Sequence, residues 1–328
     1  MGKFKLARLL TAGAMALAAL AGVPAQAESF PSKPIKLVVG FAPGGINDIV
    51  ARVVGQKLGE ALGQPVIVEN KAGAGGTIGA DSVAKAKPDG YTLLLGSVSN
   101  ISMAPSQYKA LPYDPLKDFA PVALLAAAPN ILVVHPEFPV HSVKDLIALA
   151  KKKPGQISYA SAGNGTSNHL TVELLKVLAD IDLVHIPYKG DAVGITDVIG
   201  GQVPMMFPTL PVALPHIKSG KLRAVAVSSA KRTALAPEVP TVAESGGLAD
   251  FQVSVWVGIL APANTPKDIV DRVSTELTRI VQAPEIKEKL ASLGAEPDPR
   301  DSAQFAAYIK SETAKWSKVA AAAKISPQ

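Results

Sequence analysis

The chain has no cysteine among its 328 residues, only five histidines, and aromatic residues at just 5%. Without cysteine there are no disulfides, no thiolate metal site and no lipid-anchor cysteine, so the fold is held by its buried core. The chain is long enough to bury one or two such cores. The histidines are scattered without metal-ligand pairing, and no metal or cofactor is assigned. The scarcity of aromatics, with no basic stripe between them, argues against a nucleic-acid partner. A nucleophile elbow is missing too: Ser161 stands in Tyr159-Ala160-Ser161-Ala162-Gly163, without the first glycine. No catalytic residue is assigned, and the chain is read as a non-enzyme. A run long enough to cross a bilayer is also lacking. The apolar stretch over 9–23 falls short of the ~18 residues a spanning helix needs.

That stretch follows Lys3, Lys5 and Arg8 and precedes Ala25-Gln26-Ala27, which is the layout of a secretory signal cleaved after Ala27. Cleavage would leave 301 residues in the periplasm. The formal charge would fall from +6 to +3, because three basic residues and no acid are lost. So mild a positive balance suits a small anion rather than a polyanion.

Along the rest of the chain, apolar runs alternate with helical patterns. Strands are expected over 35–39, 65–69, 91–95, 131–134, 157–160, 183–186, 203–207 and 222–227. Helices are expected over 48–62, 78–86, 141–152 and 167–178. Such alternation predicts an α/β fold with parallel sheets. The C-terminal part reads as three helices. The first is capped by Thr265, with Pro266 at its first position and Asp268 three residues beyond the cap. The second spans 285–293, and the third, over 301–323, turns Phe305, Tyr308, Ile309, Trp316 and Val319 inward. Proline-rich loops flank a central block, which predicts a double crossover: one lobe from 28–128 plus 230–328, and a second from 129–229.

Two glycine-rich turns carry the functional signal. One is Phe41-Ala42-Pro43-Gly44-Gly45-Ile46-Asn47-Asp48. The other is Ser161-Ala162-Gly163-Asn164-Gly165-Thr166-Ser167-Asn168-His169. Each joins a strand to a helix, so bare N–H groups collect at the positive end of a helix dipole and form an anion site without basic side chains. Glycine turns of this kind also occur for purely structural reasons. Asp48, unfavourable beside an anion, is read as a cap or turn-fixing residue. A third turn, Gly73-Ala74-Gly75-Gly76-Thr77-Ile78-Gly79, breaks the spacing of a dinucleotide fingerprint and is read as a tight strand–helix turn.

The ordered set PSKPIKLVVGFAPGGIND, VIVENKAGAGGTIGA, KPDGYTLLLGS, YASAGNGTSNHL, HIPYKG and LPHIKSGKLRAVAVSS, with PEVPTVAESG, resembles the Bug family, the TctC-like solute-binding proteins of tripartite tricarboxylate transporters. The resemblance covers essentially all of the mature chain. It implies a type II periplasmic-binding-protein fold with two α/β lobes and a ligand cleft between them. It also implies capture of a small carboxylate by a monomer that hands it to small and large membrane subunits. By the same resemblance the cleft uses the two glycine turns, the segment from Ser97 to Asn100, and the Tyr188-Lys189 turn. Two positions depart from the family pattern. Ile46-Asn47 stands where a small residue and then Thr or Ser is usual, and Pro208 stands where an aspartate is common. These departures imply a ligand with an apolar or aromatic body. An exported enzyme acting on a small acid, or a receptor presenting its ligand to a membrane kinase, are the other readings of the same residues.

Overall fold

The computed structural model describes residues 30–322, so the signal-peptide segment lies outside the described residues. Strand β1 (Ile35–Val39) leads into helix α1 (Ile46–Leu62), then β2 (Val66–Asn70), α2 (Thr77–Ala84) and β3 (Thr92–Ser97). A π-helical turn over Val98–Met103 follows, then the ten-residue β4 (Phe119–Ala128) and β5 (Ile131–Val134). The central block continues with α3 (Val143–Lys152), β6 (Ser158–Ser161), α4 (Ser167–Ala179), β7 (Val184–Pro187), α5 (Asp191–Ile199), β8 (Met205–Met206), α6 (Leu210–Lys218), β9 (Arg223–Val227) and α7 (Val242–Gly246). The chain ends with β10 (Val255–Pro262), α8 (Lys267–Gln282), α9 (Pro284–Ser292), β11 (Glu296–Arg300) and α10 (Ser302–Ala322).

These elements form two sheets, ordered β11-β4-β10-β3-β1-β2 and β7-β6-β8-β5-β9. The sheets are mixed, not parallel as the alternation predicts. Strand β1 lies parallel to β2 and β3, and β6 to β7 and β8. However, β10 runs antiparallel to both β3 and β4, and β5 antiparallel to β8 and β9. The crossing itself causes this. Strand β4 carries the chain out of the first sheet and β10 brings it back, so the two paired strands point opposite ways. Neither alternates in hydrophobicity: β4 reads FAPVALLAAA, and all eight residues of β10 are buried. A strand buried on both faces reads as a plain apolar run, which conceals it in sequence.

Where the chain crosses, Asn130 N–H donates to Ser228 Oγ at 2.8 Å, and Ser228 N–H returns a bond to Asn130 O at 2.8 Å. Ser228 Oγ then donates to Val253 O at 2.7 Å, and Val253 N–H to Ser228 O at 2.8 Å. Outgoing and returning segments are thus tied at one buried polar knot. Helix α8 starts one residue later than its sequence signal. Pro266 holds the cap position, and Thr265 Oγ1 turns back to donate to Pro262 O at 2.7 Å instead of capping. In α10, Phe305, Ile309 and Trp316 are fully buried, while Tyr308 and Val319 are partly buried against the same core. Among the described residues, no helix is long and apolar enough to cross a membrane.

Candidate functional site

Loop 1, residues 40–48, leaves β1 and enters α1. Only Gly44 in its Gly-Gly pair has a positive φ, +87°; Gly45 is extended and holds the N-cap position without a side-chain cap. Asp48 turns back to hold the loop. Its Oδ2 accepts Gly44 N–H and Arg52 Nε, both at 3.0 Å; its Oδ1 accepts Asn70 Nδ2 at 3.0 Å and lies 2.8 Å from Arg52 Nη2. Asn70 Nδ2 also donates to Phe41 O at 3.0 Å. Burial alone would raise the Asp48 carboxyl, but Arg52, Gly44 and Asn70 together hold it below its ordinary value. The acid is therefore charge-balanced within its own lobe. Its turn leaves the N–H groups of Ile46, Asn47 and Asp48 without intrahelical acceptors. The Ile46 side chain is buried in the main hydrophobic cluster. Asn47 is 7% exposed, and its Oδ1 has no partner among the described residues.

Loop 2, residues 161–169, is held by neutral groups. Ser161 Oγ accepts Gly163 N–H at 3.1 Å and sits 2.6 Å from His185 Nε2. Thr166 Oγ1 donates to Gly163 O at 2.7 Å, although Thr166 occupies the N-cap of α4 without capping it. Gly165 N–H donates to His169 Nδ1 at 3.3 Å. Asn168 Nδ2 donates to Phe207 O at 2.8 Å and to Asp191 Oδ1 at 3.0 Å; Thr209 Oγ1 donates to Asp191 Oδ2 at 2.9 Å. Asp191 has no cation within ion-pair distance among the described residues. Burial pushes its carboxyl up to about 6 against the pull of Thr209 and Asn168. The imidazole of His169 stacks on that of His185 at 4.1 Å, and Tyr159 covers the other side of His185 at 5.0 Å. Burial, then the neighbouring His169, pushes His185 down to about 4.

The two loops meet at one seam between the lobes. The N–H of Ser167, first residue of α4, donates to Ser99 Oγ in the first lobe at 3.1 Å. A Cβ added at Gly190 would stand 3.7 Å from Ala42 Cβ, and one added at Gly75 would stand 3.5 Å from Asn164 O. Gly165, with φ of +76°, is pressed against Gln107, whose Oε1 would lie 2.5 Å from an added Cβ. The lobes are closed on each other, and the Asn168 and His169 N–H groups of α4 have no intrahelical acceptors.

Not every residue singled out from sequence opens onto this seam. Ser97 and Asn100 are fully buried: Asn100 Oδ1 accepts Ser97 N–H at 2.8 Å, and Asn100 Nδ2 donates to Gly76 O at 3.3 Å. They shape the turn that presents Ser99. Tyr188 donates its hydroxyl to Asp197 at 2.7 Å, Lys189 is exposed, and Pro208 is buried with its carbonyl accepting Ile131 N–H at 2.9 Å. Pro43 lies exposed on loop 1. Sequence reasoning placed Ser99 in the cleft segment from Ser97 to Asn100 without singling it out, and passed over Gln107, His185 and Asp191. Among the described residues, no three His, Asp or Glu side chains are grouped to hold a metal ion.

A Ser–His contact of 2.6 Å invites comparison with a hydrolytic dyad. Ser161 is fully buried, however, and its oxygen is engaged by its own loop. The pair supports the loop without facing the seam.

The sequence profile described as the tripartite tricarboxylate transporter family receptor matches residues 50–325. The solved periplasmic binding protein BugD superposes with a TM-score of 0.85 at 37% identity, covering 91% of this chain and all of BugD. A protein of R. palustris, Rpa4515, solved with adipate, gives a TM-score of 0.87 at 34% identity over 91% of this chain and 100% of its own. MatC of Rhodopseudomonas palustris, solved with bound malate, gives 0.83 at 34% over 88% and 99%. With two α/β lobes that meet at one seam and a match over nearly its whole length, the chain belongs to the tripartite tricarboxylate transporter receptor family of Bug and TctC proteins.

Proposed function

We propose that the chain is a periplasmic receptor that captures one small carboxylate between its lobes and delivers it to the membrane subunits of a tripartite transporter. The observation that carries this reading is the seam itself. Two helix N-termini, those of α1 and α4, bring acceptor-free N–H groups to loops on separate lobes, and the loops close on one another. A carboxylate there is held by backbone dipoles, and closure excludes the water that would screen them. Micromolar affinity needs about 8 kcal/mol. Four or five charge-assisted hydrogen bonds reach this, after association costs of about 4 kcal/mol, toward the upper end of their range of about 1.5–3 kcal/mol each. The relatives solved with adipate and malate support the carboxylate class.

The working unit is a monomer with lobes near 28–128 plus 230–328 and 129–229, exported by removal of 1–27. Lobe closure is the form a membrane partner distinguishes from the open one. In this reading the protein turns nothing over. A panel of carboxylates should raise the melting temperature and leave each ligand chemically unchanged after prolonged incubation. A panel without any thermal shift removes the carboxylate class, and product formation removes the receptor reading.

A further inference from the structure

His169 is the third residue of α4, and its ring folds back beneath loop 2, where Nδ1 accepts the Gly165 N–H at 3.3 Å. Gly165 is the residue seated against Gln107 of the facing lobe. We propose that His169 is a positioning residue for the carboxylate site. Its neutral imidazole, with the proton on Nε2, holds loop 2 in its binding shape, so carboxylate capture weakens as the surroundings acidify. The binding half of this statement rests on the carboxylate-receptor reading.

The chemistry follows from the two nitrogens. Neutral imidazole has one donor and one acceptor, whereas imidazolium has two donors and no acceptor. Protonation would therefore set an N–H of His169 against the N–H of Gly165 and release the loop. It would also place positive charge in the first turn of α4, at the positive end of the helix dipole.

The groups facing the ring come from three elements. On α4 itself, Glu173 Oε1 lies 3.9 Å from His169 Nε2, and Lys176 Nζ lies 2.9 Å from the same oxygen. From β6, the Tyr159 hydroxyl donates to that oxygen at 2.9 Å. From β7, the His185 ring stacks on His169 with planes 13° apart. Glu173 favours the proton, but its charge is shared with Lys176 and Tyr159. Burial, then Lys176, opposes the proton, and the balance keeps His169 below its ordinary value of 6.5. His185 is pinned by Ser161, and burial, then His169, pushes it down to about 4.

The test begins on the ligand-free protein, by nuclear magnetic resonance of labelled histidine and glycine across a pH series. The expected result is a neutral His169 with its proton on Nε2, and a Gly165 amide signal that moves with the same midpoint, below 6.5. A proton on Nδ1 at about pH 7.5, or a Gly165 amide indifferent to the His169 titration, overturns the proposal. His169→Asn keeps an acceptor oxygen that does not titrate, so it should retain the Gly165 bond and flatten its pH response. A Gly165 amide that still titrates in that variant also overturns it. Calorimetry with adipate and malate gives the second arm. Wild-type affinity should fall by up to about tenfold per pH unit below the midpoint, and dividing by the His169→Asn affinity at each pH cancels protonation of the ligand. Parallel profiles of the two proteins count against the proposal. If neither acid binds at about pH 7.5, the carboxylate-receptor reading loses its support, while the amide titration still decides the role of His169.

Discussion

Loops 1 and 2 do the same geometric work with opposite electrostatics. Loop 1 is held by an ionised carboxylate and a guanidinium: Asp48, Arg52 and Asn70 form one network around Gly44 and Phe41. Loop 2 is held by a hydroxyl, an imidazole and a carboxamide, with its nearby acid, Asp191, facing no cation among the described residues. A helix N-terminus can thus be kept open to an anion in two ways. An acid can be turned aside and neutralised, or the turn can be built from neutral partners. The first arrangement persists until its carboxylate is protonated well into acid. The second depends on His169, whose imidazole must be neutral to accept the Gly165 N–H.

The largest expected effect comes from breaking loop 1. Asp48→Ala leaves Gly44 N–H, Arg52 and Asn70 without their common acceptor. It should cost about 2–3 kcal/mol of stability in urea unfolding, because removing one partner of a buried network strands the others. Carboxylate binding should fall by about 100-fold or more with it; unaltered affinity would detach loop 1 from the site. Next is Gly165→Val. With φ of +76° and Gln107 Oε1 2.5 Å from an added Cβ, a β-branched residue should cost about 1–3 kcal/mol in backbone strain. It should also hold the lobes apart, read as a ligand-independent increase in radius of gyration by X-ray scattering.

A sharper probe of the seam is Ser99→Ala, which removes one cross-lobe hydrogen bond worth about 0.5–1.5 kcal/mol. Affinity should drop about three- to tenfold, mostly through faster ligand release, with unfolding stability nearly unchanged. Equal release rates would show that the Ser99–Ser167 bond contributes nothing to closure.

The surroundings of loop 2 also respond to pH in two opposite senses. His185 titrates near 4 when folded and near 6.5 when unfolded, so the unfolded chain binds more protons between those values. Stability is therefore full above about 6.5 and declines as pH falls toward 4, by about 1–2 kcal/mol after allowance for partial exposure. Asp191, raised to about 6 from 3.8, acts in the opposite sense: the folded chain holds the extra proton, and stability declines as pH rises through that interval. Asp191→Asn should flatten this second slope, and His185→Gln the first, in unfolding measured from pH 4 to 7. Matching slopes in either variant and the wild type would show that the group does not set the pH response.

The legible parts of the fold were the local ones. A strand, a glycine turn and a helix start within about ten residues of each other, and both loops appeared where the sequence predicts them. Helix α10 was legible from its periodic Phe305, Ile309 and Trp316. Strands β4 and β10 were not: β10 is buried along its whole length, and β4 reads FAPVALLAAA, so neither shows the apolar–polar alternation that marks a strand. Pro208 was legible as a departure from the family pattern, but Asp191, one residue's hydrogen bond away through Thr209, was not. Ser99 meets Ser167 across 68 residues, and His169 meets His185 across sixteen and through a different element. No local pattern encodes such pairs.

By itself the sequence determined the two helix N-termini, the absence of cationic groups within the loops, and the α/β alternation that makes two lobes. These follow from backbone hydrogen bonding and residue spacing over a single turn or strand. The tertiary structure alone decided which loop N–H groups stay open, because that depends on which side chains are held against them: Asp48, braced by Asn70 of β2 and by Arg52, accepts Gly44 N–H in loop 1, while Ser161 and His169 accept Gly163 and Gly165 N–H in loop 2 and Ser99 of the facing lobe accepts Ser167 N–H. It alone decided that one loop is held by an ion pair and the other by a base, because a charge or a proton is set by what burial brings beside it.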